Sequence, residues 1–151
     1  MDLHLKDRVV LITGATGGIG QALTRAFAAE GCKLAISSTS QAKLDAFTPS
    51  LGLDEGHLKT FIVDVTREEQ VKAFVDGAHA AYGRLDVQIH RIEENTLGKP
   101  ADEAVFASQY LDGRYCRPDE VADLALYLAS DLSSHMMGSG IRLDGGLDAQ
   151  C

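Results

Sequence analysis

The sequence is short of cysteine, of basic charge, of long apolar runs and of clustered histidine, and each shortage removes a class of protein. Three cysteines, Cys32, Cys116 and Cys151, are scattered through 151 residues in no ligand-like spacing. That excludes a disulfide framework and points to reduced thiols in a cytoplasmic protein. Lys and Arg number 14 against 22 Asp and Glu, for a net charge of −8. Nucleic acid and anionic membranes would both be repelled. No apolar run approaches the ~20 residues that span a bilayer, and the start, Met1-Asp2-Leu3-His4-Leu5-Lys6, has no secretory core. His4, His57, His79, His90 and His135 stand far apart, so no metal site is expected. What remains is a single domain, 1–151, with an apolar share of 45% that suffices for a core.

The chain is organised around residues 8–20. An apolar run, Val9 to Ile12, leads directly into a glycine-rich turn that opens a helical stretch reaching Glu30. Gly14, Gly18 and Gly20 have separate tasks. Gly14 lets the chain leave a strand tightly, Gly18 lets a pyrophosphate approach bare backbone, and Gly20 lets the helix lie close on the sheet. The free amides and positive end of that helix face the phosphates. A purely structural turn would need glycine too. The strand before the loop, the helix after it and a second strand at 33–37 favour phosphate or dinucleotide binding.

The string Thr13-Gly14-Ala15-Thr16-Gly17-Gly18-Ile19-Gly20 resembles the cofactor loop of the short-chain dehydrogenase/reductase family, classical type. The resemblance implies an α/β protein, a three-layer Rossmann-like, doubly wound parallel sheet. It also implies an NAD(P)(H)-dependent oxidoreductase acting on carbonyl or hydroxyl substrates. On this chain the cofactor-binding residues would be Gly14, Thr16, Gly17, Gly18, Ile19, Gly20, Ser37, Ser38, Thr39, Asp64 and Val65.

Ile19, Leu23, Ala26 and Phe27 give the first helix an apolar stripe. The second strand ends in Ser37-Ser38-Thr39-Ser40. A carboxylate there would hold the adenosine ribose. None is present to repel a 2′-phosphate, and hydroxyls can donate to one, so NADP(H) is favoured over NAD(H), although no Arg or Lys stands in the loop. Ser40 equally serves as the cap of a helix over 40–51 broken by Pro49 and Gly52. A third strand is expected over 58–64. In the resembling family an Asp-Val pair at its end meets the adenine, a role carried to Asp64 and Val65, while Thr66 reads as the cap of an amphipathic helix over 67–82. On that helix Val71, Phe74, Val75, Ala78 and Tyr82 share a face, with His79 partly buried beside them. A fourth strand begins in Gly83-Arg84-Leu85-Asp86-Val87, as it does in the family.

After Ile89 the likeness stops. The family continues Asn-Asn-Ala-Gly, then supplies a catalytic Ser and a Tyr-x-x-x-Lys helix. Here His90-Arg91-Ile92-Glu93-Glu94 follows. Four residues after Tyr82, Tyr110, Tyr115 and Tyr127 stand Asp86, Arg114, Asp119 and Asp131, never Lys. No catalytic residue is assigned. Residues 91–112 form an atypical joint with a helix expected over 102–111. The likeness resumes at 113–122, where Pro118 and two acids start a last, largely buried helix. It continues in a last strand over 138–146, and Met136-Met137 reads as core or interface packing. The chain looks like a family member with its middle removed: about five strands in the order 3-2-1-4 with the last beyond, and a homo-oligomer through the last helix and strand, where relatives also dimerise. If redox chemistry is absent, the remaining reading is a non-catalytic nucleotide-binding or interaction module.

Overall fold

A computed structural model describes residues 2–90, 114 and 116–143. Among them run β1 (Val9–Ile12), α1 (Gly18–Ala29), β2 (Lys33–Ser38), α2 (Gln41–Phe47), β3 (Leu58–Ile62), α3 (Glu68–Tyr82), β4 (Val87–Ile89) and α4 (Pro118–Ala129). Short 3-10 turns follow α2 and α4. The four strands are parallel in the order β3-β2-β1-β4. Helices lie on both faces of the sheet, so the expected three-layer, doubly wound architecture is what the chain forms.

Strand alternation divides the core in two. Val10, Ile12, Leu34 and Ile36 face α1, α2 and α4, and pack with Leu23, Phe27, Leu44, Phe47 and Ala122. Leu11, Ala35 and Val63 face α3 and meet Phe74 and Ala78. β1 and β2 are covered on both sides, which is why each reads as a continuous apolar run rather than an alternating one. Two contacts fix how the layers sit. The Phe61 and Phe74 rings lie 4.9 Å apart in a tilted pair. The Tyr82 hydroxyl donates to the Leu34 carbonyl at 3.0 Å, tying the end of α3 to β2.

Several expectations need correction. The N-cap of α3 is Arg67, not Thr66, because the Thr66 hydroxyl donates its hydrogen to Asp64 at 2.6 Å instead of serving the helix. His79 is exposed, one position round from the buried face of Phe74 and Ala78. α4 is buried on one side only. Ala122, Ala125, Leu126 and Ala129 pack on the core, while Tyr127 and Leu128 are each 40% exposed. Met136 and Met137 are exposed and contribute nothing to the core. Residues 138–143 of the expected fifth strand are coil among the described residues. Gly138, Ser139 and Gly140 are poor strand formers, and β4 pairs with β1 over three residues only. The joint at 91–112, with the helix expected over 102–111, lies outside the described residues, as do Tyr110, Tyr115 and residues 144–151.

Candidate nucleotide-binding site

The glycine loop sits at the carboxyl ends of the strands, where open α/β sheets take their ligands. Four bonds hold it there. The Thr13 N–H donates to the Ile89 carbonyl at 3.1 Å, and the Ala15 N–H to the Ser37 carbonyl at 2.9 Å, so the loop is fastened to β4 and β2 together. The Thr16 and Ser38 hydroxyls meet at 2.8 Å. The Gln21 side-chain amide donates to the Thr16 carbonyl at 3.0 Å. Gln21 was not foreseen; its signal is a polar side chain in the first helical turn, able to reach back to the loop.

The glycines sort by what their missing side chains allow. Gly14 has φ +63, a conformation that L side chains rarely adopt. A Cβ at Gly20 would stand 2.2 Å from the Gly14 carbonyl oxygen and 2.8 Å from the Ala15 Cα. The close approach expected of Gly20 is therefore real, but its partner is the loop's own backbone rather than the sheet. Gly18 faces open space, with nothing within 4 Å of an added Cβ.

Gly17 is the N-cap of α1 and brings no side-chain oxygen to it. The first intrahelical bond among the loop residues runs from the Gln21 N–H to the Gly17 carbonyl at 2.8 Å. The amides of the first turn are thus left without a cap at the positive end of a twelve-residue helix. Such an end suits an anion. A close glycine turn, an open Gly18 and an uncapped helix start together fit a diphosphate.

The remaining expected residues divide. Ser37 is 1% exposed, lies on the α3 side of the sheet, and its hydroxyl has no partner among the described residues. Ser38, on the other face, turns toward the loop. Thr39 is exposed. Asp64 is adjacent to this edge, since the Val63 N–H donates to the Ser38 carbonyl at 3.0 Å. Its Oδ1 accepts from both the N–H and the hydroxyl of Thr66, and these bonds, the hydroxyl's first, hold the carboxyl below the usual carboxylate range. Val65 is an apolar side chain left 53% exposed.

Of the other candidate groups, Tyr82 is committed to Leu34, and burial, with a smaller push from Asp54, raises its phenol to about 12. Tyr127 donates to the Leu132 carbonyl at 3.5 Å. Cys32 is fully buried, donates to the Leu5 carbonyl, and is raised to about 12, first by burial and then by Glu30 and Asp86. It is a packing residue. No group of three or more metal-ligating side chains exists among the described residues, and no helix among them is long and apolar enough to cross a membrane.

Residues 8–91 match the short chain dehydrogenase family and residues 92–148 match a family described as enoyl-(acyl carrier protein) reductase. The chain belongs to the short-chain dehydrogenase/reductase family. Members of that family are NAD(P)-dependent oxidoreductases. The chain is 33% identical over 102 residues to a D-threitol dehydrogenase from Mycolicibacterium smegmatis, covering 68% of this chain and 39% of that protein. It is 34% identical over 88 residues to a 3-oxoacyl-[acyl-carrier-protein] reductase from Thermotoga maritima, covering 58% of this chain and 36% of that protein. The chain thus spans well under half the length of these curated relatives. A short chain dehydrogenase structure from Bacillus anthracis superposes with a TM-score of 0.84 at 16% identity, over 95% of this chain and 97% of that one. A short-chain dehydrogenase/reductase from Brucella melitensis gives 0.79 at 19%, over 97% and 99%. At such identities these two establish the fold alone.

Proposed function

We propose that this chain binds NAD(P)(H), NADP(H) in preference, and that the nucleotide lies along the carboxyl edge of β1, β2 and β3 within a single domain. The observation that carries the reading is the uncapped start of α1 behind a glycine loop packed too closely for any side chain at Gly20. Gly14, Thr16, Gly17, Gly18, Ile19 and Gly20 would hold the diphosphate by backbone amides. Ser37, Ser38 and Thr39 lie where the adenosine ribose would sit, and Asp64 and Val65 where the adenine would. The absence of a carboxylate at the end of β2 favours the 2′-phosphorylated form. NADPH fluorescence on titration with protein tests this. Saturable enhancement, lost in Gly18→Val, is expected; a flat titration of the wild-type chain overturns the reading.

The relatives named as dehydrogenases and reductases point to interconversion of alcohols and carbonyls as the ancestral chemistry. When bound, the nucleotide would supply or accept hydride. The chain's own residues supply no Tyr followed four positions later by Lys, the pair that would move the accompanying proton. That observation favours a second reading, a nucleotide-binding module whose catalytic middle has been lost. Turnover of NADPH with carbonyl substrates separates the two, and a rate equal to the buffer blank selects the second. The exposed Tyr127, Leu128 and Met137 support self-association through α4 and the segment after it, in a cytoplasmic protein.

A further inference from the structure

Gln21 stands in the first turn of α1, half-buried, and makes two bonds back to the glycine loop. Its N–H donates to the Gly17 carbonyl at 2.8 Å, as any helical residue at that place would. Its side chain does something more. Helical side chains lean toward the amino terminus, and this one reaches the Thr16 carbonyl, to which Nε2 donates at 3.0 Å. A carbonyl can only accept, so the end of the side chain that meets it is the NH2 and not the oxygen.

The bond matters because of what the Thr16–Gly17 peptide could otherwise do. Its N–H donates inward to the Gly14 carbonyl at 3.2 Å, and its carbonyl is held by Gln21. Both ends of this one peptide are fixed, in a loop whose next residue, Gly18, is exposed. Without Gln21 the half-buried Thr16 would lose the donor to its carbonyl. Glycine at 17 would then let the peptide plane turn over at little steric cost. Turned over, it would point an oxygen at the space in front of the α1 amides, where an anion belongs.

We propose that Gln21 is a positioning residue for diphosphate binding: its side-chain amide locks the Thr16–Gly17 peptide so that the diphosphate meets N–H groups and no carbonyl. The inference rests on the nucleotide reading above. It gives the loop a polar fastener that glycine spacing does not announce, and it assigns Gln21 no contact with the nucleotide itself. Side-chain length is part of the claim, because Asn carries the same amide one methylene short of the Thr16 carbonyl.

Two measurements test it, one with ligand and one without. Titration with ADP, NADPH and 2′-AMP compares the wild-type chain with Gln21→Met, Gln21→Asn and Gln21→Glu. Met and Asn, which lose the bond, should weaken ADP and NADPH about tenfold, as loss of one hydrogen bond to a carbonyl then left unpaired does. 2′-AMP has no 5′-diphosphate and should change by less than about twofold, since a contact never made cannot be lost. Gln21→Glu should be weaker still at neutral pH and should recover with ADP near about pH 4, where a protonated carboxyl donates as the amide does. Recovery beyond the level of Gln21→Met marks a restored bond, because relief of charge repulsion alone would only reach that level. In the ligand-free chain the Gly17 amide should exchange about tenfold faster in Gln21→Met, with the Leu34 amide, bonded to His57 in the core, unchanged. Full ADP affinity in Gln21→Met, equal losses for 2′-AMP, or unaltered Gly17 exchange would each overturn the proposal. A wild-type chain that binds none of the three ligands would overturn the nucleotide reading and this proposal with it, a distinct result in which the variants play no part.

Discussion

The amino-terminal part, through β4, and the carboxyl-terminal part, α4 and the residues after it, bury their apolar side chains to very different degrees. In β1 every residue is buried, and β2 is buried from Leu34 to Ser38. In α4 a single residue, Ala122, is fully buried, and Leu132, Met137, Ile141 and Leu143 beyond it stand exposed. Both parts carry apolar residues at helical or strand spacing, so the difference does not lie in pattern alone. It lies in partners. β1 and β2 have neighbouring strands on both edges and helices on both faces. α4 has α1 beneath its alanine row and an exposed face opposite, and the 3-10 turn after it is tied down by an ion pair between Arg8 and Asp131 at 2.9 Å. An apolar residue is a core residue only where a second layer exists to cover it.

The largest test of that contrast is a pair of truncations. Phe27, fully buried between α1 and β1, should cost about 3–5 kcal/mol when cut to Ala. Leu128→Ser should stay within about 0.5 kcal/mol. Urea melts of dilute protein measure both. A cost at Leu128 near that at Phe27 would mean that its face of α4 is covered in solution, and the contrast would dissolve.

Next in size is Gly20→Ala. The added methyl group would collide with the Gly14 carbonyl and the Ala15 backbone, neither of which can rotate away. Overpacking of this kind costs about 1–3 kcal/mol, and NADPH affinity should fall with it as the loop shifts. Gly18→Ala, with open space around it, should leave the unfolding free energy from urea melts within about 1 kcal/mol of wild type. Equal behaviour of the two would show that the loop is not held as the structure has it.

The largest shifts in the two parts act at opposite ends of the pH scale, although Asp54, Asp64 and Asp86 of the amino-terminal part are lowered as well. Cys32 and Tyr82 are raised to about 12, chiefly by burial, from ordinary values of 9.0 and 10.0. The unfolded chain gives up these protons first, so stability is intact below about pH 9 and declines as pH rises toward 12. Glu120 is the reverse. Arg114 grips its carboxylate with two bonds of 2.7 and 2.8 Å, and the Arg117 N–H adds a third. Together they lower the carboxyl from 4.5 to about 2. Its contribution to the start of α4 is present above pH 4.5 and lost as pH falls toward 2. Amide exchange followed across pH should show α4 loosening first in acid. Glu120→Gln should remove that acid dependence, and Cys32→Ala should flatten the alkaline decline in Tm.

The same contrast explains what could be read in advance. The strand, glycine loop and helix of residues 9–29 were legible because local signals and the global fold agree there: a buried run, a loop with a steric need for glycine, and a stripe on one face. Ser40 was legible as a cap, and its hydroxyl indeed accepts the Lys43 N–H. Thr66 was not, because a hydroxyl two residues from an Asp has a competing acceptor that no pattern reveals. The one-sided burial of α4 was hidden for a related reason. Its two apolar rows look equivalent in sequence, and only the position of α1 decides which is covered. At the site, glycine spacing announced the loop, but nothing in Ser37-Ser38-Thr39 says which hydroxyl turns toward Thr16. That follows from strand alternation once the register of β2 is fixed.

The smallest effect is expected where the well-packed part stores strain. Asp7, just before β1, has φ +63, and His4 has φ +52. These are the non-glycine residues with positive φ among the described ones. Asp7 is held there because its N–H donates to the Gly31 carbonyl at 3.0 Å while the Arg8 N–H reaches back to Leu5 at 3.0 Å, so the lead-in to β1 is closed on both sides. A left-handed conformation costs an ordinary residue about 1–2 kcal/mol, less for Asp. Asp7→Gly relieves that strain but gives the unfolded chain more freedom, worth about 0.4–1 kcal/mol in the opposite direction. The two nearly cancel, and a gain of no more than about 0.5 kcal/mol is expected. Asp7→Val, which has the strain in full and a β-branched side chain as well, should lose more than about 1 kcal/mol. If both variants melt with the wild type, the turn before β1 is not the tight left-handed one, and the amino-terminal part carries less internal strain than its backbone implies.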